Sequence, residues 1–255
     1  MFDLNNFVID RVVRAVGFSQ TDDSVLFAIN QVTNPSLNVT SETAEAVDAL
    51  GTPIAVFNRA KNAEFSAENA LFDLSLMATQ AGTKKEIASS DATILTPKFE
   101  IVDVVAGTTS YALSQTPVEM PAAIYMLKGD GTLGTAYTLA AGDYAISGKN
   151  LTLNMDLAGL EQLMVIYEYN AAEAVSVTNT AVNFPSACKL VLEVLGCDVC
   201  DQTKLIYAYL ILPNFKISPD FDWSIATDGS HPFSGQAMQD YCDKEKKLYQ
   251  LIIPA

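Results

Sequence analysis

Residues 55–83 read AVFNRAKNAEFSAENALFDLSLMATQAGT, which joins a strand-like segment to a helix-like one. The alternation of apolar and polar residues predicts a strand from about Lys61 to Ala67. Ser66 then has the chemistry of a helix N-cap, and Glu68 suits the positive end of the helix dipole. Gly82 is a plausible helix stop. Apolar residues recur between these points at helical spacing: Leu71, Phe72, Leu74, Leu76, Met77, Ala78 and Ala81. We therefore predict a helix of about twelve residues that covers one face of a sheet.

Strand-like segments surround this unit on both sides. Residues 10–20 and 24–34 predict an antiparallel pair with a turn at residues 21–24. A further strand with a polar, acidic end is predicted at residues 36–47, and a Gly–Thr–Pro turn leads into the next one. The last third predicts two long strands, a loop with room for one short helix, and a terminal strand, at residues 182–198, 203–217, 219–244 and 246–255.

The middle of the chain has a rhythm of its own. Between residues 106 and 170, short strands rich in Tyr, Ile, Leu and Val alternate with glycine-containing turns at about ten-residue spacing, as in a small β-sandwich. We interpret this module, residues 104–170, as an Ig-like insertion into a β domain formed by residues 1–103 and 171–255. The predicted fold class is therefore mainly β, with one flanking helix and an inserted small β-sandwich.

Composition excludes several classes of function. Thirty acidic residues face fifteen basic ones, for a net charge of −15, whereas nucleic-acid binding needs clustered Lys and Arg. Such a surface either keeps the chain soluble or repels a polyanion that must pass without binding. The longest apolar runs span about nine residues, too few to cross a bilayer. The first ten residues carry two acids and no basic segment, so we predict no signal peptide.

The four cysteines allow three readings. Cys197 and Cys200 have the Cys-x-x-Cys spacing of a zinc or redox site, but a zinc site would also need Cys188, Cys242 or His231 to converge on it. Cys188 instead suits a half-buried position in a strand. We favour structural free thiols in a reducing, intracellular compartment, and leave metal binding and a disulfide open as alternatives.

The chain shows no enzymatic signature. The single histidine, His231, lies in DGSHPFSG without a nucleophile pattern and is predicted to be a turn residue. Glu42, Glu45 and Asp48 cluster within seven residues and form either a solvated acidic loop or an acidic surface that faces a channel. We predict no catalytic residues, no cofactor, no metal site and no enzymatic activity.

Two segments carry a resemblance to a known family. Residues 53–83 resemble the strand–strand–helix segment of bacteriophage tail tube proteins, the major tail protein family. Residues 213–242 and the terminal KLYQLIIP, residues 247–254, are similar to the C-terminal part of the same proteins. The resemblance implies a β-sandwich or partial barrel with a helix on its outside. Six subunits would form a ring, rings would stack into a hollow tube, and acidic residues of the wall would repel passing DNA.

The resemblance also implies partners and surfaces. Residues 36–53 and both termini would make ring-to-ring contacts, and some of Glu42, Glu45 and Asp48 would lie at a ring–ring or luminal surface. The expected partners are further copies of the chain, the tail terminator, the baseplate or tip and, in a contractile tail, the sheath. The expected location is the virion, after assembly in the host bacterial cytoplasm. Two alternatives stay open: a capsid decoration or tail-terminator protein that forms closed trimers or single rings, and a module that binds carbohydrate through exposed Tyr111, Tyr125 and Tyr144.

Overall fold

The fold is mainly β, as the sequence predicts, and divides into two compact units. The structure, a computed structural model, describes residues 7–119, 123–127, 142–154, 162–227, 229–241 and 244–254. Unit 1 comprises Met1–Lys85 and Val177–Ala255, and unit 2 comprises Glu86–Ser176.

The described residues form sixteen strands and one helix, here in chain order. The first part of unit 1 contains β1 (Phe7–Ser19), β2 (Val25–Ile29), β3 (Val32–Val47), β4 (Pro53–Asn69) and α1 (Leu74–Gln80). Unit 2 contains β5 (Glu86–Ile87), β6 (Ile94–Asp103), β7 (Ser110–Ala112), β8 (Ala123–Leu127), β9 (Tyr144–Ser147), β10 (Asn150–Leu153), β11 (Gln162–Ala171) and β12 (Val175–Ser176). Unit 1 resumes with β13 (Ala187–Asp198), β14 (Asp201–Ile217), β15 (His231–Ala237) and β16 (Gln250–Ile252).

Unit 1 is one antiparallel sheet that rolls up on itself. Its strand order is β2-β1-β13-β14-β15-β4-β3, with β16 paired to β14. In a flat sheet β2 and β3 would lie about 29 Å apart, since six strand spacings of about 4.8 Å separate them. Only Asn30 and Gln31 connect the two strands, so the Cα atoms of Ile29 and Val32 are at most about 11 Å apart. The sheet must therefore curl until its two ends approach each other.

The concave side of this rolled sheet holds the core of unit 1. Phe27 on β2 meets Phe233 on β15, with ring centroids 6.3 Å apart. Phe65 on β4 packs against Phe233 at 5.9 Å and against Phe215 at 6.3 Å. Gly235 leaves the space that the Phe215 ring occupies, since a Cβ at this position would lie 2.4 Å from that ring. The contact of Phe27 with Phe233 thus joins two strands that are distant in the sheet, while Phe65, Phe215 and Phe233 pack together on the adjacent strands β4, β14 and β15.

The predicted helix start is wrong. Ser66 and Glu68 lie inside β4, because inward-facing apolar residues continue to Ala67 and both neighbouring strands pair with β4 as far as Asn69. The N-cap of α1 is Asp73, whose carboxylate accepts a hydrogen bond from the Leu76 N–H at 2.7 Å. The helix is seven residues long and ends just before Gly82, whose φ of +65° confirms the predicted stop.

Other predicted elements of unit 1 are confirmed with changes. β1 and β2 form the expected antiparallel pair, but the second predicted strand is too long, because β2 ends at Ile29 and β3 begins at Val32. β13 and β14 are the two long strands of the last third. The terminal strand is confirmed as β16, three residues long. The loop predicted at residues 219–244 instead contains β15, and its described residues form no helix. His231 is the first residue of β15 and is buried, so the turn assignment is wrong.

Unit 2 contains two three-stranded sheets, β7-β10-β9 and β6-β11-β8, and the short pair β5–β12. Side chains from both three-stranded sheets share one hydrophobic cluster, which includes Leu113, Ile124, Leu151 and Leu163. The unit runs from residue 86 to residue 176, whereas the predicted insertion covers residues 104–170. β6 lies before that predicted start and pairs along its whole length with β11. The Ig-like assignment stays a prediction.

Candidate functional site

The hairpin of β3 and β4 extends beyond the core of unit 1. Inward-facing residues of β4 are buried only from Ala63 onward. From residue 40 to residue 61 every residue is exposed except Ala44 and Ala55, which are partly buried. We call residues 40–61 the arm.

The arm carries apolar side chains that nothing in the described structure covers. Leu50 is 91% exposed at the turn and Ile54 is 72% exposed beside it, and three others are about half exposed: Val47, Val56 and Phe57. An isolated two-stranded ribbon is marginally stable in water, and a cluster of exposed apolar residues marks an interaction surface. The arm is therefore built to be covered by another surface.

The three predicted acids all lie on the arm but differ in what they contact. Asp48 shapes the turn, because one carboxylate oxygen accepts hydrogen bonds from the backbone N–H groups of Leu50 and Thr52 at 2.8 and 2.9 Å. Glu42 and Glu45 are exposed on β3. Glu45 pairs with Val56 across the ribbon and so shares its face. Asp48 is thus a turn residue, and the other two acids point to solvent.

Unit 1 also presents strand edges without a partner among the described residues. β3, sixteen residues long, pairs with β4 on one side only, and β2 pairs only with β1. Such edges are templates for pairing with another chain. At the far end of β1, β13 and β14 the sheet exposes a further apolar group: Val8, Ile9, Val199, Leu205 and Tyr207.

The outer face of the neighbouring strands is different, because its side chains are polar. Register places four serines in one row across β3, β4, β15 and the residue after β14: Ser36, Ser66, Ser234 and Ser218. The next row on the same face consists of Asn38, Glu64, Gln236 and Lys216. Together they line a shallow groove of about 760 Å³. We call this surface the polar face.

Carboxylates outnumber cations on and beside the polar face. Glu64, Asp220 and Asp222 are exposed, and Lys216 is the cation among the two rows. Glu68 adds a fourth carboxylate, which accepts a hydrogen bond from the Ser230 hydroxyl at 2.8 Å. An excess of carboxylates among small hydroxyls and amides is unfavourable to the binding of a polyanion.

A buried polar group fixes α1 to the sheet. Nε2 of His231 lies 2.8 Å from Oε1 of Gln80 at the end of the helix, and Nδ1 accepts a hydrogen bond from the Asp73 N–H at its start, 3.5 Å away. The Phe72 ring stacks on His231 on one side and on Trp223 on the other. Burial lowers the pKa of His231, and the nearby Asp73 carboxylate opposes this only in part. The imidazole is therefore held neutral and structural rather than catalytic.

The tyrosines proposed for carbohydrate recognition do not form an exposed group. Tyr111 is buried and its hydroxyl donates to the Thr108 carbonyl oxygen at 2.8 Å. Tyr144 packs against the same cluster in unit 2, and Tyr125 is half-buried on β8. The prediction that these three residues are exposed is therefore wrong.

The remaining candidates bring no site together. Cys188 is buried in β13 and Cys197 is half-buried, and both are free thiols, whereas Cys200 is exposed. Cys242 lies outside the described residues. Burial raises the pKa of the Cys188 thiol to about 12. Within the described ranges no three His, Cys, Asp or Glu side chains are grouped as metal ligands. No helix among those residues is long and apolar enough to span a membrane.

Comparison with known families identifies the family of this chain. Residues 7–252 match the YomU/Tube protein family, so the chain belongs to this family of phage tail tube proteins. Membership implies a structural component of the virion that assembles with copies of itself and with other tail proteins. No curated protein matches the chain at a significant level.

Proposed function

We propose that this chain forms hexameric rings that stack into the hollow tube of a phage tail, and that DNA passes through the tube without binding tightly. The protein has no enzymatic activity in this role. Copies are made and assembled in the cytoplasm of the host bacterium, and the tube meets a tail terminator at one end and a baseplate or tip at the other. A contractile tail would add a sheath.

The observation that carries this proposal is the arm together with the unpaired edge of β3. A sheet that ends in a sixteen-residue open edge is completed when the edge of a neighbouring copy pairs with it, and repetition around a ring removes all such edges. The arm extends beyond this sheet and carries the apolar residues that a stacked ring would cover. Glu42 and Glu45 are then candidates for the ring–ring surface, while Asp48 folds the turn that presents them.

Shortening the arm tests the stacking contact. Ser41 and Lys61 are register partners, so residues 42–60 can be replaced by Asn-Gly, a two-residue turn that closes the hairpin at this pair. The core residues of β4 remain, and we expect the shortened chain to keep its fold by near-ultraviolet circular dichroism. In negative-stain microscopy the unchanged chain should form filaments with six-fold rings, and the shortened chain isolated rings or monomers. Long filaments from the shortened chain would show that the arm does not join rings.

We propose further that the polar face lines the bore. Its support is the row of serines and the excess of carboxylates described above. Reversing Glu64, Asp220 and Asp222 to Lys should leave tube assembly intact but make the tubes retain duplex DNA in a form that nuclease cannot digest. The matched control reverses the exposed acids Glu86, Asp91 and Glu173 of unit 2 to Lys. Nuclease-resistant DNA in the control alone, or in neither variant, would exclude this assignment.

The same microscopy separates the alternatives. Discrete trimers or single closed rings would favour a capsid decoration or tail-terminator protein. Binding to a glycan array would favour the carbohydrate module, although burial of Tyr111 removes part of the surface on which that reading depends.

A further inference from the structure

We propose that the outer face of unit 2 receives the arm of a second copy of the chain, with Phe57 in an apolar groove and Arg59 beside two carboxylates. This inference rests on the proposed function, because it names a surface that the arm of one copy contacts on another.

The receiving face is an apolar surface of a unit that already has a core. Side chains of β6 alternate, and its outward positions expose Leu95, Phe99 and Ile101, of which Phe99 is 66% exposed. Met164 and Ile166 on β11 are the cross-strand partners of Ile101 and Phe99 and extend the same face. Because the other side of this sheet packs in the cluster of unit 2, the outer face is a second apolar surface that needs a cover.

The edge of this sheet opposes strand addition, which leaves side-chain packing as the mode of contact. β6 is the edge strand in the order β6-β11-β8, and Pro97 lies at its middle. Proline has no N–H to offer to an incoming strand and is a common way to block a sheet edge. A partner therefore docks on the face and not along the edge.

A groove in this face has a definite chemistry. It measures about 400 Å³ and is lined by the apolar residues Leu95, Pro97, Val118 and Ile166 and by two carboxylates, Glu119 and Glu168. That volume is near the lower end for small-ligand pockets, so it suits one large side chain. A partner segment that carries an apolar side chain next to a cation therefore fits this groove best. Because the chain has a net charge of −15, most other surface segments of a second copy would be repelled by the two carboxylates.

The arm supplies this combination. Phe57 is 59% exposed and pairs with the small Ala44, so its ring stands clear of the ribbon. Arg59 follows two residues later on β4, at a register shift between the pairs Thr43–Asn58 and Ser41–Lys61. In an extended strand two such positions are about 7 Å apart, which is also the spacing of Ile166 and Glu168 on β11. Buried aromatic and arginine side chains are also the residues that dominate protein interfaces.

Arg59 differs from the other two arginines of the chain in its contacts. Arg11 pairs with Asp10 at 2.8 Å, and Arg14 lies 3.9 Å from Glu193. Arg59 is exposed, and within the described residues it has no carboxylate partner. A carboxylate of a second copy would complete it.

A charge swap in the full chain tests the contact. Arg59→Glu and Glu168→Arg should each raise the concentration of unassembled protein in equilibrium with tubes by about tenfold. The chain with both substitutions should return to within about threefold of the unchanged protein, because the reversed charges attract again. The controls Lys204→Glu and Glu173→Arg make the same charge changes at other exposed positions and should have less effect. Sedimentation of assembled tubes gives the concentrations, and Trp223 fluorescence checks the fold of unit 1 while far-ultraviolet circular dichroism checks the whole chain.

Mixing the two single variants distinguishes copies from one another. Separately labelled Arg59→Glu and Glu168→Arg chains should sediment together better than either sediments alone. The contact would be overturned if the double variant raised the concentration of unassembled protein by the product of the two single effects. It would also be overturned if the single variants assembled no worse than their controls. Either result would leave the tube proposal intact. Failure of the unchanged chain to form tubes would instead overturn the proposed function itself.

Discussion

Lowering the pH from 7.5 to 5.5 is expected to destabilise unit 1 through the one histidine of the chain. His231 is 1% exposed and bridges Gln80 and Asp73 at the two ends of α1. A proton added to the ring would have to occupy Nδ1. Nδ1 could then no longer accept a hydrogen bond from the Asp73 N–H, and its own N–H would face that group. Burial lowers the pKa of His231 below its usual 6.5, and the Asp73 carboxylate only partly offsets this.

The sign and size of the effect follow from proton linkage. As the pH falls through about 6.5, the unfolded chain takes up a proton before the folded chain does. The stability contributed by the neutral histidine is therefore fully present above that pH and is lost as the pH falls toward the folded-state pKa. For one proton the free energy of unfolding can fall by at most about 1.4 kcal/mol between pH 7.5 and 5.5. Most carboxylates stay ionised across this range, so the histidine dominates it.

Urea unfolding of unassembled protein, followed by fluorescence of Trp223, measures this change. Trp223 is the only tryptophan and stacks on Phe72, which in turn stacks on His231. The His231→Phe variant retains an aromatic ring but cannot titrate, so its stability should be nearly constant over the same range, whatever its absolute value. The reasoning is refuted if the natural chain gains stability as the pH falls, or if the variant shows the same slope.

Three further outcomes are expected. Glu100→Gln should destabilise unit 2 by about 1–2 kcal/mol, measured by thermal unfolding, because the Glu100 carboxylate accepts a hydrogen bond from the hydroxyl of the buried Tyr167; an unchanged midpoint would contradict this. Gly235→Ala should cost more than about 1 kcal/mol in urea unfolding, since the new methyl group would collide with the Phe215 ring; a more stable variant would show that the core yields. The Cys188 thiol, with its pKa raised to about 12 by burial, should resist a thiol reagent at pH 8 until unit 1 unfolds; rapid labelling of this residue in the folded chain, located by peptide mass, would contradict its burial.

Local patterns predict the strands well because their signal is carried by neighbouring residues. The apolar, β-branched character of residues 10–34 identifies β1, β2 and the turn between them, but not the end of β2 at Ile29. The start of α1 is misplaced because Ser66 and Glu68 satisfy helix capping rules locally, whereas pairing of β4 with both β3 and β15 decides the conformation. That pairing joins residues far apart in sequence, and a single sequence gives no direct sign of it.

The candidate surfaces show the same limit. Glu42, Glu45 and Asp48 are identifiable as an acidic cluster, but the separate role of Asp48 depends on hydrogen bonds within the turn. Four serines that are scattered in sequence become a row only through the register of their strands: Ser36, Ser66, Ser218 and Ser234. His231 sits in a stretch that resembles a turn, and only the aromatic rings packed around it reveal that it is buried.

The division of unit 1 into two chain segments has a consequence for synthesis. β1 pairs with β13, about 180 residues later, while unit 2 is continuous and lies between them. During translation unit 2 can fold first, and the earlier strands must wait for β13, β14 and β15 to leave the ribosome. A nascent copy therefore lacks a finished sheet in unit 1 until synthesis of the chain is nearly over.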